Sequence, residues 1–504
     1  MPPVTYRLLS TLLLLFTIIA SQTAAAGNRE TIIGFHEPIG PAQRALIAQL
    51  GGKIHHEFSL IPAVTAEIPD SGLLALSKHP MVAYVEEDGT VTRIKEQRSP
   101  PNRLSPPPAT LRAASTDEEY QNAWGVQHIG SEFAHIQGIT GQGVKIAVID
   151  SGIDYNHEEL DGNYAGGYDF VNDDNDPMDD TYNSHGTNVA GIIAAERNGI
   201  GVVGVAPDAS LYALKVLTSI GTGLTSSTVA AIEWAVTNGM DIINISIQGE
   251  HRESLQAACD AAYNAGLLII AAAGNTSGQA VSYPATYDSV VAVTSTDEND
   301  SLPDYAPFGA EVELSAPGDK IYSTARVYRG YTTLSGTSQA APHVTGLAAL
   351  ILSSGRLTDL NNDTVIDNRD LRLKLQEAID DLGDPGRDEL FGFGLVNTRK
   401  AFPPAAEIRL ERGEQWFSGW ERYRVEDERT HVFIENDSLY GLISFVSENG
   451  HFRRDLSRVH IFEGYRQNFP QSLNFELDAS GTALDVIFVP FGKTGSFANI
   501  TITN

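Results

Sequence analysis

Five short apolar runs alternate with amphipathic segments in the middle of the chain. The apolar runs cover residues 144–149, 211–216, 242–247, 267–273 and 290–294. The amphipathic segments have helical spacing and cover residues 185–195, 225–238 and 252–265. Apolar runs of this length are typical of strands that helices bury on both faces. The pattern predicts an α/β fold of three layers, with a parallel sheet between two layers of helices.

The segments on either side of this region have different patterns. Residues 27–92 predict a small α+β unit, with strands at 31–35, 52–58, 63–67 and 82–88 and helices at 42–50 and 71–78. Residues 93–119 are polar and rich in proline, which is typical of a linker without a core of its own. Residues 120–402 contain the α/β domain. Residues 403–504 alternate apolar and polar positions between Gly and Asn turns, which predicts a β-sandwich-like domain.

Residues 1–26 are typical of a cleaved secretory signal peptide. Arg7 precedes an apolar run at residues 8–20, and small residues follow at 24–26. The run is too short to span a membrane comfortably, and no later stretch is a candidate. We therefore expect a mature protein that is secreted, extracellular or periplasmic, without a membrane segment. Cys259 is the single cysteine, so intrachain disulfide bonds are excluded as a source of stability.

The chain is strongly acidic, because 64 Asp and Glu residues against 34 Lys and Arg residues give a formal net charge of -30. Such a surface repels nucleic acid and anionic membranes, so neither is an expected partner. It suits surroundings rich in salt or calcium, although plain solubility explains the charge equally well. The chain of 504 residues is also too long for one hydrophobic core, in agreement with several domains.

Residues 334–350, LSGTSQAAPHVTGLAAL, combine a turn with an Ala-rich helix. Ser338 falls in the first turn of that helix, where free amides and the helix dipole stabilise a negative charge. Pro342 is expected in the same first turn, where a missing N–H costs nothing. Taken alone, the serine is best explained as the N-cap of a buried helix.

Two upstream motifs favour a catalytic role instead. Asp150 ends the apolar run of residues 144–149, and His185 begins a predicted helix in the motif SHGTNVAG. Asn275 follows another strand in the motif AAGN. In their order and context these motifs resemble the subtilisin-like serine proteases over residues 121–402. The resemblance implies that Ser338 is the nucleophile, His185 the base and Asp150 the residue that orients it, with an oxyanion hole formed by Asn275 and the Ser338 amide.

The same resemblance implies protein or peptide substrates and a groove that pairs with an extended peptide. The implied substrate-binding residues are Leu224, Ser246, Ile247, Gln248, Gly249, Ala273, Gly274 and Ser282. Ala273, Gly274 and Ser282 would line the pocket for the substrate residue before the scissile bond. No acidic residue is among them, which disfavours specificity for basic residues. Three positions depart from the family pattern: Gln248 replaces a usual glycine, Asn188 a frequent histidine and Gln339 a frequent methionine.

Residues 27–92 resemble the inhibitory propeptide of this family in the stretches GGKIHHEF and PMVAYVEEDG. The resemblance implies an intramolecular chaperone and inhibitor whose end occupies the substrate cleft until it is cut. The cut is expected within residues 91–120. His55 and His56 also suggest a metal site, but neighbouring residues of a strand face opposite sides, which favours a structural role.

Calcium is the expected cofactor, in a structural role, at three sites. By resemblance, Glu159 and Asn198 belong to the main calcium site of the family. The acidic loop with Asp169, Asp174 and Asp176 resembles a second site, with a solvated loop as the alternative. Residues 359–370 match an EF-hand-like loop through Asp359, Asn361, Asp363, Asp367 and Asp370, although Thr364 occupies the position of a glycine. A plain acidic turn is the alternative there.

Together these features predict a secreted, calcium-stabilised serine endopeptidase that works through an acyl-enzyme and processes its own precursor. We expect a monomer whose partners are its substrates and its own propeptide. Two alternatives use the same scaffold. One is a peptide ligase or macrocyclase, which product analysis distinguishes. The other is a non-catalytic pseudoprotease, which an assay of peptide hydrolysis distinguishes.

Overall fold

A computed structural model describes residues 28–96, 118–326 and 330–403, and beyond residue 405 the backbone of eight strands. The predicted signal peptide and residues 97–117 of the predicted linker lie outside the described residues. Within the described part of the chain, no helix is both long enough and apolar enough to cross a membrane.

The N-terminal unit has the predicted α+β composition. Its elements are β1 (Asn28–Phe35), α1 (Pro41–Gln49), β2 (Lys53–Glu57), β3 (Ala63–Pro69), α2 (Asp70–Ser77) and β4 (Val82–Glu87). The strands form an antiparallel sheet in the order β2-β3-β1-β4. Ile33 and Phe35 of β1 pack in the unit's own core, whereas Ile32 faces the other side and packs in a core shared with the next domain. The alternation follows from the two-residue period of a strand.

A fifth strand, β5 (Thr90–Arg93), follows directly and leaves the N-terminal sheet. The Pro-rich linker predicted from residue 93 onward therefore does not begin as a solvated segment. Ile94 has no exposed surface, and the side chain of Glu96 is only 3% exposed. These residues are ordered because they lie in a groove of the following domain.

The α/β domain is built around a nine-stranded sheet in the order β17-β18-β14-β13-β12-β10-β6-β8-β7. Its strands are β6 (Lys145–Asp150), β7 (Tyr164–Asp169), β8 (Ser210–Lys215), β10 (Ile242–Ile245), β12 (Leu268–Ala272), β13 (Val290–Thr296), β14 (Leu314–Pro317), β17 (Ile379–Asp380) and β18 (Leu395–Val396). Smaller strands of the domain are β9 (Thr222–Leu224), β11 (Ile247–Gln248), β15 (Ile321–Thr324) and β16 (Tyr331–Leu334). All neighbours in the large sheet are parallel except β17 and β18.

The helices of the domain are α3 (Glu118–Asn122), α4 (Trp124–His128), α5 (Glu132–Ile136), α6 (His185–Ala194), α7 (Thr225–Thr237), α8 (Glu253–Asn264), α9 (Thr337–Ser353), α10 (Asn368–Glu377) and α11 (Thr398–Ala401). Two hydrophobic cores separate them from the sheet. Ile146 and Val148 of β6 belong to the core under α6 and α9, and Ala147 and Ile149 belong to the core under α7 and α8. The predicted three-layer α/β architecture is therefore present.

The remaining eight strands are β19 (Ala406–Glu411), β20 (Trp420–Arg424), β21 (Thr430–Asn436), β22 (Gly441–Ser447), β23 (His460–Ile461), β24 (Gln471–Leu477), β25 (Ala483–Pro490) and β26 (Phe497–Thr503). They form two antiparallel sheets, β19-β26-β21-β24 and β20-β25-β22-β23. Two sheets of this kind agree with the strand-rich pattern of the sequence, and the β-sandwich-like packing of their faces stays a prediction.

Candidate active site

Asp150 and His185 meet at the carboxyl end of the sheet. Asp150 is the last residue of β6, and His185 is the first residue of α6. Nδ1 of His185 lies 2.7 Å and 2.9 Å from the two carboxylate oxygens of Asp150, and neither residue has exposed surface. This contact fixes the imidazole with Nε2 facing away from Asp150. Burial alone lowers the pKa of His185, but the charge and hydrogen bond of Asp150 and the charge of Glu96 raise the pKa to about 9.

Ser338 is the second residue of α9, as the sequence predicts, and is fully buried. Its hydroxyl donates to the carbonyl oxygen of Ser246 at 3.2 Å. Pro342 was expected in the first turn but lies further inside the helix, where its missing N–H leaves the carbonyl of Ser338 without its usual helical partner. The hydroxyl of Ser246 donates to that carbonyl at 3.2 Å instead, which explains why the helix tolerates the proline.

Asn275 stands opposite the helix and holds a carbonyl of the chain itself. Its Nδ2 donates to the carbonyl oxygen of Lys95 at 2.9 Å. Its Oδ1 accepts from the backbone N–H of Thr337 at 3.0 Å, so the amide group is oriented by the residue before the nucleophile. The hydroxyl of Thr337 also donates to the carbonyl of Gly274 at 2.9 Å. Thr337 is a positioning residue that the sequence did not single out, although it is adjacent to Ser338.

Asp179 is a second positioning residue that the sequence analysis missed. This buried carboxylate accepts hydrogen bonds from the hydroxyls of Ser151, Thr181 and Thr187 at 3.2, 2.6 and 2.7 Å. Ser151 follows Asp150, and Thr187 lies in the same helical turn as His185, so Asp179 connects the backbones that carry the acid and the base. Burial raises the pKa of Asp179, against the hydrogen bonds of Thr181 and Thr187. The only sequence signal is an aspartate a few residues before the histidine motif.

The predicted substrate groove is occupied by β5. Strand β5 pairs antiparallel with β9 on one side and with β11 on the other. Thr90 pairs with Leu224, Arg93 pairs with Ile247, and the N–H of Arg93 donates to the carbonyl of Gly221 at 3.0 Å. The groove therefore forms hydrogen bonds with an extended backbone of the chain itself, and its use by a peptide substrate stays a prediction.

The residues predicted for the pocket wall lie next to this groove. The hydroxyl of Ser282 donates to Oε1 of Gln248 at 3.3 Å, and a Cβ atom on Gly274 would clash with the Ser282 hydroxyl. Gly274 has a φ of 105°, in the region that favours glycine. Ala273 is buried beneath, and Gly249 bridges to Tyr283. The structure thus brings the predicted pocket residues together, and their role in substrate binding stays a prediction.

The two other departures from the family pattern are neighbours in space. Nε2 of Gln339 donates to Oδ1 of Asn188 at 3.3 Å. Nδ2 of Asn188 reaches the carbonyl of Thr324 at 3.3 Å, and both side chains are fully buried. A polar residue at one position is therefore accommodated by a polar residue at the other.

Glu159 and Asn198 lie in the loops that the sequence assigned to the first calcium site. Oε1 of Glu159 accepts from the N–H of Val202 and the hydroxyl of Tyr331, both at 2.9 Å. Oε2 of Glu159 is buried and has no hydrogen-bond partner among the described residues. Burial raises the pKa of Glu159 to about 7, and the charge of nearby Glu119 adds to this. A buried carboxylate with an unused oxygen fits a cation.

The other two candidate calcium loops satisfy their carboxylates within the chain. Asp169 accepts from the N–H groups of Val171 and Asn172, and Asp174 accepts from the N–H of Asp176. In residues 359–370, backbone N–H groups donate to Asp359, Asn361 and Asp363, and Thr364 has the positive φ of 74° that the glycine position requires. Asp367 caps α10, and Asp370 completes its capping box. Both calcium assignments stay predictions.

The two neighbouring histidines of the N-terminal unit, His55 and His56, have different surroundings. His55, Glu30 and Glu67 place one ligand atom each within 4.8 Å of one another, on the exposed side of the N-terminal sheet. His56 does not take part in this group and packs edge-on against Phe58.

An aspartate, a histidine and a serine near the carboxyl ends of a parallel sheet, with an amide donor beside the serine helix, are the groups that serine hydrolases of the triad type use. The chain matches the Subtilase family over residues 141–394. It is 38% identical over 394 residues to a thermostable alkaline protease of Halalkalibacterium halodurans, which covers 78% of this chain and 97% of the relative. Subtilisin NAT of Bacillus subtilis subsp. natto is 37% identical over 413 residues, with 78% and 97% covered.

The M-protease of Shouchella clausii is 37% identical over 349 residues, which is 69% of this chain and 80% of the relative. The chain therefore belongs to the subtilase family and is a subtilisin-like serine endopeptidase.

Proposed function

We propose that this endopeptidase is exported as a precursor. Its N-terminal unit helps the catalytic domain to fold and inhibits it, and self-cleavage then releases the unit. The observation that carries this proposal is the path of residues 90–96 through the catalytic groove. Strand β5 pairs with both walls of the groove, and the carbonyl of Lys95 accepts from Asn275. A substrate peptide needs the same hydrogen bonds, so the uncut chain competes directly with substrates.

A chaperone role is supported by the way acidic residues of the N-terminal unit cap helices of the catalytic domain. Asp88 accepts from the N–H of Ser226 at 2.9 Å, at the start of α7. Glu86 accepts from the N–H of Glu253 at 3.0 Å, at the start of α8. The first N–H groups of a helix have no intrahelical partner, and a carboxylate there stabilises the helix by roughly 1 kcal/mol. The unit thus supplies caps for α7 and α8.

The bond between Lys95 and Glu96 is our candidate for self-cleavage, because its carbonyl oxygen lies on the oxyanion donor. Ser338 Oγ attacks the carbonyl carbon of Lys95, and His185 Nε2 takes the serine proton. The bond to the Glu96 nitrogen breaks, and this nitrogen receives the proton from His185. Water then attacks the acyl ester and restores Ser338. The same steps hydrolyse protein and peptide substrates.

Export and calcium binding complete the proposed function. The signal-like residues 1–26 support secretion into the extracellular space or the periplasm. The buried, unpartnered oxygen of Glu159 supports a calcium ion held by Glu159 and Asn198, and the loops with Asp169 and Asp359 are further candidates. Calcium would supply the positive charge that this acidic fold needs, and no catalytic step uses it. No described feature favours the ligase or the pseudoprotease alternative.

The deciding experiment compares the precursor with its Ser338→Ala variant in a protease-free host. We expect the parent to accumulate as two fragments, with a first new N-terminus at Glu96, and the variant to remain uncut. Ser335→Ala is the matched control, because it changes a nearby serine that is not the nucleophile. N-terminal sequencing and intact mass identify the bond. Processing of the Ser338→Ala variant at the same bond would refute self-cleavage.

A further inference from the structure

The carboxylate of Glu96 lies against Nε2 of His185, the ring nitrogen that Asp150 does not contact. Its Oε1 is 3.4 Å from Nε2 of His185 and accepts from Nδ2 of Asn183 at 2.9 Å. Its Oε2 accepts from the guanidinium of Arg93 at 2.8 Å. Asn183 and Arg93 thus hold the carboxylate against the imidazole, and the Glu96 side chain is only 3% exposed.

Nε2 of His185 is the atom that must take the proton of Ser338. Among the described residues it has no hydrogen-bond partner, and the Ser338 hydroxyl is turned to the carbonyl of Ser246. The imidazole therefore lies between two carboxylates, Asp150 at Nδ1 and Glu96 at Nε2. An imidazolium is stabilised by both charges, and an imidazolium cannot act as a base.

We propose that Glu96 is an acidic latch that keeps His185 protonated in the precursor, so that self-cleavage starts when the imidazole loses its proton to solvent. This proposal rests on the proposed self-processing and adds its regulation. The charged groups that face the imidazole are Asp150 from β6, Arg93 from β5 and Glu96 from the segment that follows β5. Asp150 and Glu96 favour the imidazolium, and Arg93 opposes it. Cleavage after Lys95 makes Glu96 a new chain end and frees the latch.

The pH dependence follows from the sign of these interactions. The neutral imidazole is the reactive form, and the pKa of His185 beside both carboxylates is about 9. Self-cleavage should therefore be slow near pH 6 and should accelerate as the pH rises toward 9. Removing the charge of Glu96 lowers the pKa of His185 and moves the onset to lower pH. Removing the charge of Arg93 moves it to higher pH.

The test follows self-cleavage of refolded full-length precursor after pH jumps between about 5 and 10, by gel and intact mass. Glu96→Gln keeps the shape and the Asn183 contact, and Glu37→Gln, an exposed position of the same unit, is the matched control. We expect Glu96→Gln to move the midpoint down by about 1 pH unit, equivalent to roughly tenfold faster cleavage at low pH. Glu37→Gln should leave it unchanged.

Arg93→Met gives an independent test of opposite sign, because we expect it to move the pH midpoint of self-cleavage upward. This variant remains informative if Glu96→Gln folds poorly. Unchanged midpoints in both variants, or slower cleavage in Glu96→Gln at every pH, would overturn the latch while self-processing by Ser338 stands. Cleavage that persists in Ser338→Ala would instead refute the proposed function itself.

Discussion

The reacting groups of this active site are held by residues from other parts of the chain. Thr337 orients the Asn275 amide, and Asp179 connects the backbone after Asp150 to the helix that begins with His185. The three triad positions were predicted from local motifs, because Asp150 ends an apolar run, His185 begins a helix and Ser338 lies in the first turn of another helix. Asp179 could not be predicted, since its importance depends on hydroxyls brought to it only by folding.

Asp179→Asn should reduce kcat by about tenfold to a hundredfold with little change in KM. The residue contacts no substrate, but a small displacement of the His185 helix is costly for a reaction that needs close alignment. Asp288→Asn, at an exposed position, is the control.

Peptide hydrolysis by the mature variants over a range of pH, with melting temperatures, separates the two interpretations. A purely structural role predicts a lower melting temperature with an unchanged kcat profile. That result would remove Asp179 from the positioning of the base.

At the scale of whole elements, the helices and strands that could be predicted are those with a clear hydrophobic pattern in their own residues. The strands of the large sheet are apolar runs, and the observed bounds of β6 and α6 differ from the predicted ones by a residue. Strand β5 was not predicted as a strand: residues 90–92 were assigned to the end of the α+β unit, after its last predicted strand, and Arg93 to the linker. Its order comes from β9 and β11, more than a hundred positions away in the chain, and no local pattern records such a partner.

The loop of residues 359–370 offers a test of calcium binding at the scale of one element. Asp359→Asn combined with Asp363→Asn keeps the side-chain acceptors of the turn but removes two charges that would bind the ion. Asp367 and Asp370 are left intact because they cap α10. We expect calorimetry of the mature protein to show one calcium ion fewer than in the parent.

The lost ion should also remove a stabilisation of roughly 2.7 kcal/mol at a hundredfold excess of calcium over Kd. Asp304→Asn with Asp384→Asn, two exposed carboxylates elsewhere, is the control. If the loop variant binds as many ions as the parent, residues 359–370 are only an acidic turn.

The stability of the whole molecule combines a strongly acidic chain, a single buried cysteine and a buried carboxylate at Glu159. Disulfide bonds cannot stabilise this chain, and bound cations would offset part of its concentrated negative charge. The N-terminal unit acts at the same scale, since the proposed cleavage and release would remove its caps from α7 and α8. We therefore expect the mature enzyme to depend on calcium more strongly than the precursor does.

The pH dependence of stability without calcium provides the sharpest test. Burial raises the pKa of Glu159 in the folded chain from 4.5 to about 7, so the folded state binds this proton more tightly than the unfolded state. The resulting stabilisation is present below about pH 4.5 and is lost as the pH rises through about 7. Calcium should replace the proton, because its charge stabilises the ionised carboxylate.

Removing calcium with a chelating resin should therefore lower the melting temperature only slightly at pH 5 and substantially at pH 8. Mature Ser338→Ala protein, obtained by mixing separately expressed domains and removing the N-terminal unit, avoids autolysis during calorimetry. Glu159→Gln should make the calcium-free melting temperature nearly independent of pH in this window, and Glu158→Gln, an exposed neighbour, should not. An equal loss of melting temperature at pH 5 and pH 8 would show that the ion does not replace the proton of Glu159.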